Sequence, residues 1–164
     1  KLIEQAVAEL KGEEWHEDIN PEINVDIPAF LPGDYVIDTD VRLNLYRRLS
    51  RLREKSELET MADEIKDRFG PPPQEVRNLM GLISIRLLLE RAGISRLDVS
   101  PESLTITFSQ ARSPDTERLV QLLNSRPNRL QLLPRGKLRV TLASLALPDD
   151  LSGIEKTIVD LGLD

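Results

Sequence analysis

The chain has 164 residues, of which 40% are apolar and 4% aromatic, and its formal net charge is −6. This length suits one domain with an extension, whose core must consist mainly of leucine, isoleucine and valine. The negative charge argues against a dedicated nucleic-acid binder, and the lack of cysteine excludes disulfides and thiolate metal sites. The lack of cysteine also fits a reducing cytoplasm, where we expect the protein to be. No apolar run approaches the roughly 20 residues that cross a bilayer, so we expect no membrane partner.

The start of the chain has the pattern of a helix that begins without a start signal. Residues 1–11, KLIEQAVAELK, carry apolar side chains at helical spacing but no N-cap. We therefore expect a fragment of a longer protein, in which residues 1–22 comprise the end of a preceding module and a linker. His16, the only histidine, lies in the linker, where a surface residue is the simpler interpretation than a metal ligand. Residues 23–164 are predicted to form one domain.

A short strand and an arginine-rich helix are predicted next. Ile23, Val25 and Ile27 alternate with polar residues, as in a strand. The segment Asp38-Thr39-Asp40 offers N-caps for a helix over about residues 40–54. The buried stripe of this helix is predicted to be Val41, Leu45, Leu49 and Leu52. Its other faces carry Arg42, Arg47, Arg48, Arg51 and Arg53.

The second helix is predicted to open with the capping box Ser56-x-x-Glu59 and to end at the sequence DRFGPPP, residues 67–73. Gly70 can take the left-handed conformation that ends a helix, and the prolines after it form a rigid corner. Asp67 lies in the last turn, where the helix dipole disfavours negative charge, and Glu64 precedes it on the same polar face. Either this is an ordinary solvated face, or it is a preformed ionic contact site.

The third helix, about residues 73–92, is apolar nearly all round and is predicted to be central, with Gly93 at its end. Beyond it the apolar residues alternate with polar ones, as in strands. This pattern predicts one hairpin from the stretches SRLDVS and SLTITFS, and a second from RLQLL and KLRVTL. Helical patterns follow each hairpin, at 115–124 and after Asp149. The predicted fold class is α+β, in which N-terminal helices pack with a small, mostly antiparallel sheet from a hairpin-helix-hairpin-helix second half.

Motifs for catalysis are missing from the sequence. It contains no phosphate-binding loop, no Gly-x-Ser-x-Gly elbow and no His-Glu-x-x-His helix. The pair Asp149-Asp150 has the right groups for acid–base chemistry, but exposed helix caps are the simpler interpretation. We therefore expect no enzyme activity and no cofactor in this domain.

Residues 27–80 resemble the C-terminal domain of the bacterial transcription-repair coupling factor family. The resemblance is carried by Leu31-Pro32-Gly33-Asp34-Tyr35, by the helix from Arg42 through Tyr46 to Arg48, and by Glu64-x-x-Asp67-Arg68-Phe69-Gly70-x-x-Pro73. It implies a parent protein that is an ATP-driven DNA translocase, displaces stalled RNA polymerase and recruits UvrA for nucleotide excision repair. ATP and Mg²⁺ are then bound elsewhere in the parent protein.

The resemblance also implies a regulatory role. The family's C-terminal domain docks on the UvrB-like module of the same chain, covers the surface that UvrA needs and restrains ATPase activity and translocation. The interdomain-binding residues carried over to this sequence are Glu64, Asp67, Arg68 and Phe69.

Two other interpretations stay open. The arginine helix, with Arg47, Arg48 and Arg51 as secondary candidates, could contact nucleic acid or RNA polymerase. Duplex-DNA binding that weakens steeply with salt and disappears when these arginines are neutralised would favour that alternative. A third possibility is a domain that only terminates and stabilises the translocase, in which case deletion would reduce stability without activating anything.

Overall fold

The computed structural model of the protein describes residues 19–110, 112–142, 147 and 149–162. The predicted helix at 1–11 and His16 lie outside the described residues. The described elements are β1 (Glu22–Asn24), α1 (Thr39–Ser50), α2 (Lys55–Phe69), α3 (Gln74–Ala92), β2 (Ile94–Val99), β3 (Ser103–Phe108), α4 (Thr116–Ser125), β4 (Leu130–Leu133), a 3-10 turn (Pro134–Gly136), β5 (Lys137–Thr141) and α5 (Leu151–Asp160).

The strands form one five-stranded sheet in the order β1-β2-β3-β5-β4. Only β1 runs parallel to its neighbour, while the β2–β3, β3–β5 and β4–β5 pairs are antiparallel. Strand β1 is tied to β2 by a side-chain hydrogen bond of 2.8 Å from Asn24 Nδ2 to Asp98 Oδ1. The predicted α+β class, the mostly antiparallel sheet and the hairpin-helix-hairpin-helix order are therefore confirmed.

Two apolar cores share the helix α3. One is helical and includes Leu45 of α1 and Ile65 of α2, which pack with Ile83 and Leu87 of α3. The other lies between α3, α5 and one face of the sheet, and here α3 contributes a different face that includes Leu89. Helix α3 is apolar nearly all round because it has to fill both cores.

The helix boundaries correct two predictions. Helix α2 begins at Lys55 and its capping box is Glu54–Glu57, so the predicted box Ser56–Glu59 is wrong. Glu57 Oε1 accepts a hydrogen bond of 3.0 Å from the Glu54 backbone N–H, which Glu59 is two residues too late to do. Helix α1 ends at Ser50 rather than near residue 54. Arg86 of α3 supports this end, since its Nη2 donates to Leu49 O at 3.4 Å in the last turn and to Leu52 O at 3.3 Å just beyond the helix.

The corner after α2 takes the sharp form that its glycine permits. Gly70 has φ 90° and ψ −172°, a positive φ that side-chain-bearing residues avoid, although it is extended rather than left-handed helical. Its backbone N–H donates to Lys66 O at 2.9 Å and closes the helix. Pro73 is the residue before α3 and not the first residue within it.

A buried amide fixes the entry segment against α3. Asn78 is 1% exposed, and its Nδ2 donates to Pro28 O at 2.8 Å. Its Oδ1 accepts a hydrogen bond of 2.8 Å from Gln74 Nε2. Because Phe30 N also donates to Glu75 O at 3.3 Å, the segment 28–30 is held along the first turns of α3.

We predict that Asn78→Ala destabilises the fold by about 1–3 kcal/mol, because it removes the donor that satisfies Pro28 O and opens a small void. Urea unfolding followed by circular dichroism measures the loss. Gln74→Ala is the matched control and should cost less, because Gln74 is only half-buried, although its side chain donates to Asn78 Oδ1 and accepts from Arg77 Nη2. Equal effects of the two substitutions would contradict the anchoring role of Asn78.

Candidate functional site

The arginine helix and the acidic helix meet at one ion pair. Arg48 of α1 donates two parallel hydrogen bonds to Glu64 of α2, at 2.5 Å from Nη1 to Oε2 and 2.7 Å from Nη2 to Oε1. Arg68, one turn further along α2, adds a contact of 3.3 Å from Nη1 to Oε2. The sequence suggests the arginine helix and the acidic face of α2 as two alternative binding surfaces. In the structure, part of their charge is neutralised because Arg48 of one pairs with Glu64 of the other.

This ion pair sets the ionisation of Glu64. The hydrogen bonds from Arg48 lower the pKa of Glu64 to about 2, against the opposing effect of burial, and Arg68 contributes in the same direction. The same contact raises the pKa of Arg48. Glu64 is thus held as a carboxylate, but its side chain keeps 36% of its exposure. One face of the carboxylate can still be reached from solvent.

Asp67 lies one turn beyond Glu64 and is fully on the surface. Within the described part of the chain its carboxylate has no hydrogen bond or ion pair. The macrodipole of α2 disfavours its charge, because Asp67 belongs to the last turn. Asp67 is therefore the candidate carboxylate whose charge the domain itself leaves unmatched.

Phe69 and Arg68 are positioned by the corner. The Arg68 guanidinium carbon lies 5.0 Å from the centre of the Phe69 ring, within the range of a cation–π contact. The Phe69 ring also packs on Tyr35, with 5.8 Å between ring centres and 55° between ring planes. Tyr35 is fixed in turn, because its hydroxyl donates to Gly70 O at 2.7 Å. We call Glu64, Asp67, Arg68 and Phe69 the docking face.

The other arginines of the predicted arginine helix differ in whether they have a partner within the domain. Arg42 Nη1 donates to Val36 O at 2.9 Å and so supports the loop before α1. Arg47 and Arg51 are exposed and make no ion pair within the described ranges. Of the three secondary candidates, the structure therefore leaves Arg47 and Arg51 as available cations, while Arg48 is engaged by Glu64.

Sequence reasoning missed the residues that hold the docking face in place. Tyr35 and Asn78 fix the corner by hydrogen bonds to backbone carbonyls that are 35 and 50 residues distant in the chain. The only sequence signal for Asn78 was an amide within a helix whose neighbouring positions are largely apolar. Among the described residues, no group of three or more acidic or histidine side chains is placed to hold a metal ion, and no helix could span a membrane.

Comparison with solved structures identifies the fold. A crystal structure of the C-terminal domain of transcription-repair coupling factor matches this chain with a TM-score of 0.71, covering 87% of this chain and 94% of that one at 19% identity. The fold is thus that of an α+β domain of coupling-factor type.

Sequence comparisons then give the family. The model of the TRCF domain matches residues 25–119. Transcription-repair-coupling factors of Rickettsia conorii and Myxococcus xanthus are 31% identical over 84% of this chain and 30% identical over 98% of it. The chain belongs to the transcription-repair-coupling factor family. It spans only 12% and 14% of the length of those two relatives.

The lowered pKa of Glu64 predicts a pH dependence of stability. The folded value is about 2, whereas an unfolded glutamate titrates near roughly 4.3. The stabilisation is therefore complete above about pH 4.3 and is lost as the pH falls toward 2. Because both partners are more than a third exposed, at 41% and 36%, we expect Glu64→Gln to cost only about 1 kcal/mol at neutral pH.

Urea titrations at several pH values measure this effect. The gap between the unfolding free energies of the wild type and Glu64→Gln should narrow as the pH falls from about 4.3 to 2. Arg48→Gln should reproduce the narrowing, because it removes the main donor to Glu64. A gap that stays constant through this window would show that the ion pair does not stabilise the fold.

Proposed function

We propose that this domain is a non-catalytic, autoinhibitory module that docks through its docking face on a basic surface elsewhere in its own parent protein. The observation that carries the proposal is Asp67, an exposed carboxylate without a partner in the described part of the chain, at a rigid corner. In the proposed closed state, arginine or lysine side chains of the UvrB-like module match this charge. The docked domain then covers the surface that UvrA needs, and it restrains ATPase activity and translocation.

The rigidity of the corner favours this role energetically. A side chain that is already positioned loses little conformational freedom when it binds. Here the Tyr35 hydroxyl holds Gly70 and the Tyr35 ring contacts Phe69, so the last turn of α2 is positioned before a partner arrives. Asp67 and Phe69 thus present a charge and an apolar surface in a constant arrangement.

Glu64 plays a different part from Asp67 in this proposal. Its carboxylate already has two guanidinium partners, Arg48 and Arg68. A basic residue of the docking partner must therefore share Glu64 or displace Arg68, the more distant donor. Glu64 contributes less net attraction than Asp67, since part of the gain is offset by the contacts it gives up.

The docking must be reversible for regulation to work. A ligand or partner can shift a two-state equilibrium only by its difference in affinity for the two states. Ion pairs at the rim of an interface typically contribute a fraction of a kcal/mol to about 1 kcal/mol each, so a few of them can keep the closed state dominant and still allow release. We propose that engagement of RNA polymerase and DNA by the full-length protein supplies the competing free energy.

ATP and Mg²⁺ would bind in the parent protein and not in this domain, and we place the protein in the cytoplasm.

We predict that Asp67→Lys in the full-length coupling factor weakens docking about tenfold, because it replaces an attraction by a repulsion worth about 1.4 kcal/mol. Basal ATPase activity and UvrA binding should both rise. Steady-state ATPase assays and pull-down of UvrA measure the two effects.

Asp160→Lys is the matched control. Asp160 is also an exposed acidic residue in the last turn of a helix, but it belongs to α5, where Arg126 donates to its backbone carbonyl at 3.0 Å. This substitution should leave both readouts unchanged. If Asp67→Lys folds normally and behaves like Asp160→Lys, the domain does not restrain the parent protein through the docking face.

A further inference from the structure

A concave surface lies beside the corner that follows α2. It encloses about 580 Å³ and is lined by the loop before α1 and by the prolines of the corner. Its characteristic side chains are two aromatic rings, two carboxylates and the corner prolines: Phe30, Tyr35, Asp34, Glu75, Pro71 and Pro73. We call this surface the corner hollow. Its volume lies within the range of clefts that bind small ligands, about 300–1,000 Å³.

The walls of the corner hollow are held by hydrogen bonds. The backbone N–H groups of Tyr35 and Val36 both donate to Pro32 O, at 3.1 and 3.0 Å, which closes the loop into a tight turn. Leu31 N donates to the Tyr46 hydroxyl at 2.7 Å. Together with the bond from Phe30 N to Glu75 O, these contacts fix both sides of the hollow in advance of any ligand.

The aromatic side chains that line the hollow are at least partly exposed to solvent. Phe30 is 45% exposed, although phenylalanine side chains are normally buried, and its ring lines the hollow. Tyr35 forms another wall, with its hydroxyl already engaged by Gly70 O. The ring surfaces therefore offer contact area without a hydrogen bond that a ligand would have to displace.

The charges of the corner hollow have one sign. Its only ionisable lining groups besides the tyrosine are Asp34 and Glu75, and neither carboxylate makes an ion pair within the described ranges. Arg42 lies beside Gly33, but its guanidinium donates to Val36 O and the residue does not line the hollow. A ligand that enters the hollow must therefore bring its own positive charge.

We propose that the corner hollow is a recognition site for an arginine side chain of a protein partner. A guanidinium group is planar, so it can stack on an aromatic ring while its edge donates to carboxylates, and it is less strongly hydrated than an ammonium group. Open aromatic walls with two unmatched carboxylates fit this combination better than they fit an uncharged apolar side chain. Recognition of arginine follows from the hollow alone.

The identity of the partner rests on the proposed function. The corner hollow and the docking face are adjacent, since Tyr35 lines the first and its ring contacts Phe69 of the second. An arginine in the hollow would thus anchor the same basic surface that faces Asp67. An arginine bound in the hollow would add buried contact area and specificity to the interface, which otherwise depends on exposed charges at its rim.

A two-part experiment tests the two statements separately. The first part titrates this 164-residue chain, labelled with ¹⁵N, with N-acetyl-L-argininamide, and uses N-acetyl-L-citrullinamide as the uncharged probe of nearly the same shape. We expect saturable amide shifts confined to residues 30–36 and 70–75, with a Kd on the order of 10 mM, and at least about fivefold weaker binding of the citrulline probe.

Substitutions of the lining residues test whether arginine binds in the corner hollow. The double substitution Asp34→Asn with Glu75→Gln, and separately Phe30→Ala, should each weaken arginine binding about fivefold or more. Asp160→Asn removes an exposed carboxylate of α5, outside both the hollow and the docking face, and should leave arginine binding unchanged. Equal binding of the two probes, or unsaturable shifts spread over all acidic surfaces, would overturn the arginine site.

The second part measures UvrA binding by the full-length coupling factor with Asp34→Asn and Glu75→Gln. Increased binding supports the hollow as an anchor of the docked state. Unchanged binding, when Asp67→Lys does increase it, overturns the hollow's part in docking while the docking face stands. If neither variant changes UvrA binding but arginine still saturates the hollow, the proposed docking is wrong and the arginine site survives.

Discussion

The hydrogen bond from the Tyr35 hydroxyl to the Gly70 carbonyl is the contact on which the candidate docking surface depends. Gly70 turns the chain with a positive φ, and the three prolines after it prevent helix α2 from continuing. Tyr35 joins this turn to the loop before α1, and Asn78 joins the same loop to α3. The relative placement of three helices is thus set around one corner. Asp67, Phe69 and the adjacent corner hollow take their positions from it.

The distribution of charge around this corner separates a carboxylate that the domain neutralises itself from carboxylates that it leaves unmatched. Glu64 is matched inside the domain by Arg48 and Arg68, and it connects α1 to α2. Asp67, Asp34 and Glu75 have no such partner within the described ranges. Unmatched charges on exposed, rigid elements lower the cost of binding a basic partner but contribute little to folding. An acidic surface of this kind suits a contact that has to form and release.

The parts of the fold that could be predicted are those determined by residues close to one another in the sequence. The two hairpins follow from alternating residues around short turns, and Asp38 caps α1 with hydrogen bonds to the next residues. The all-round apolar pattern of α3 correctly indicated a central helix, because a helix between two cores must be apolar on both sides. The capping box of α2 was misplaced because its N-cap is Glu54, whereas the usual pattern has serine or threonine there, as Ser56-x-x-Glu59 does.

The site was predicted less completely, since its important contacts are distant in the chain. The pairing of Arg48 with Glu64 joins residues 16 positions apart on different helices, and Tyr35 reaches Gly70 across 35. Spacing on one helix can reveal the Arg68–Glu64 contact but not these two. The sequence therefore indicated an acidic corner correctly but could not show which carboxylate the domain neutralises itself.

The central claim is that the domain docks on its own parent protein through unmatched negative charge. The most direct test is the affinity of this chain for the remainder of the coupling factor, produced separately and measured by calorimetry at low and high salt. The account predicts that affinity falls about tenfold or more between about 0.05 and 0.5 M salt, and that Asp67→Asn makes the dependence shallower. An affinity that does not change with salt, or no association at low salt, would contradict it.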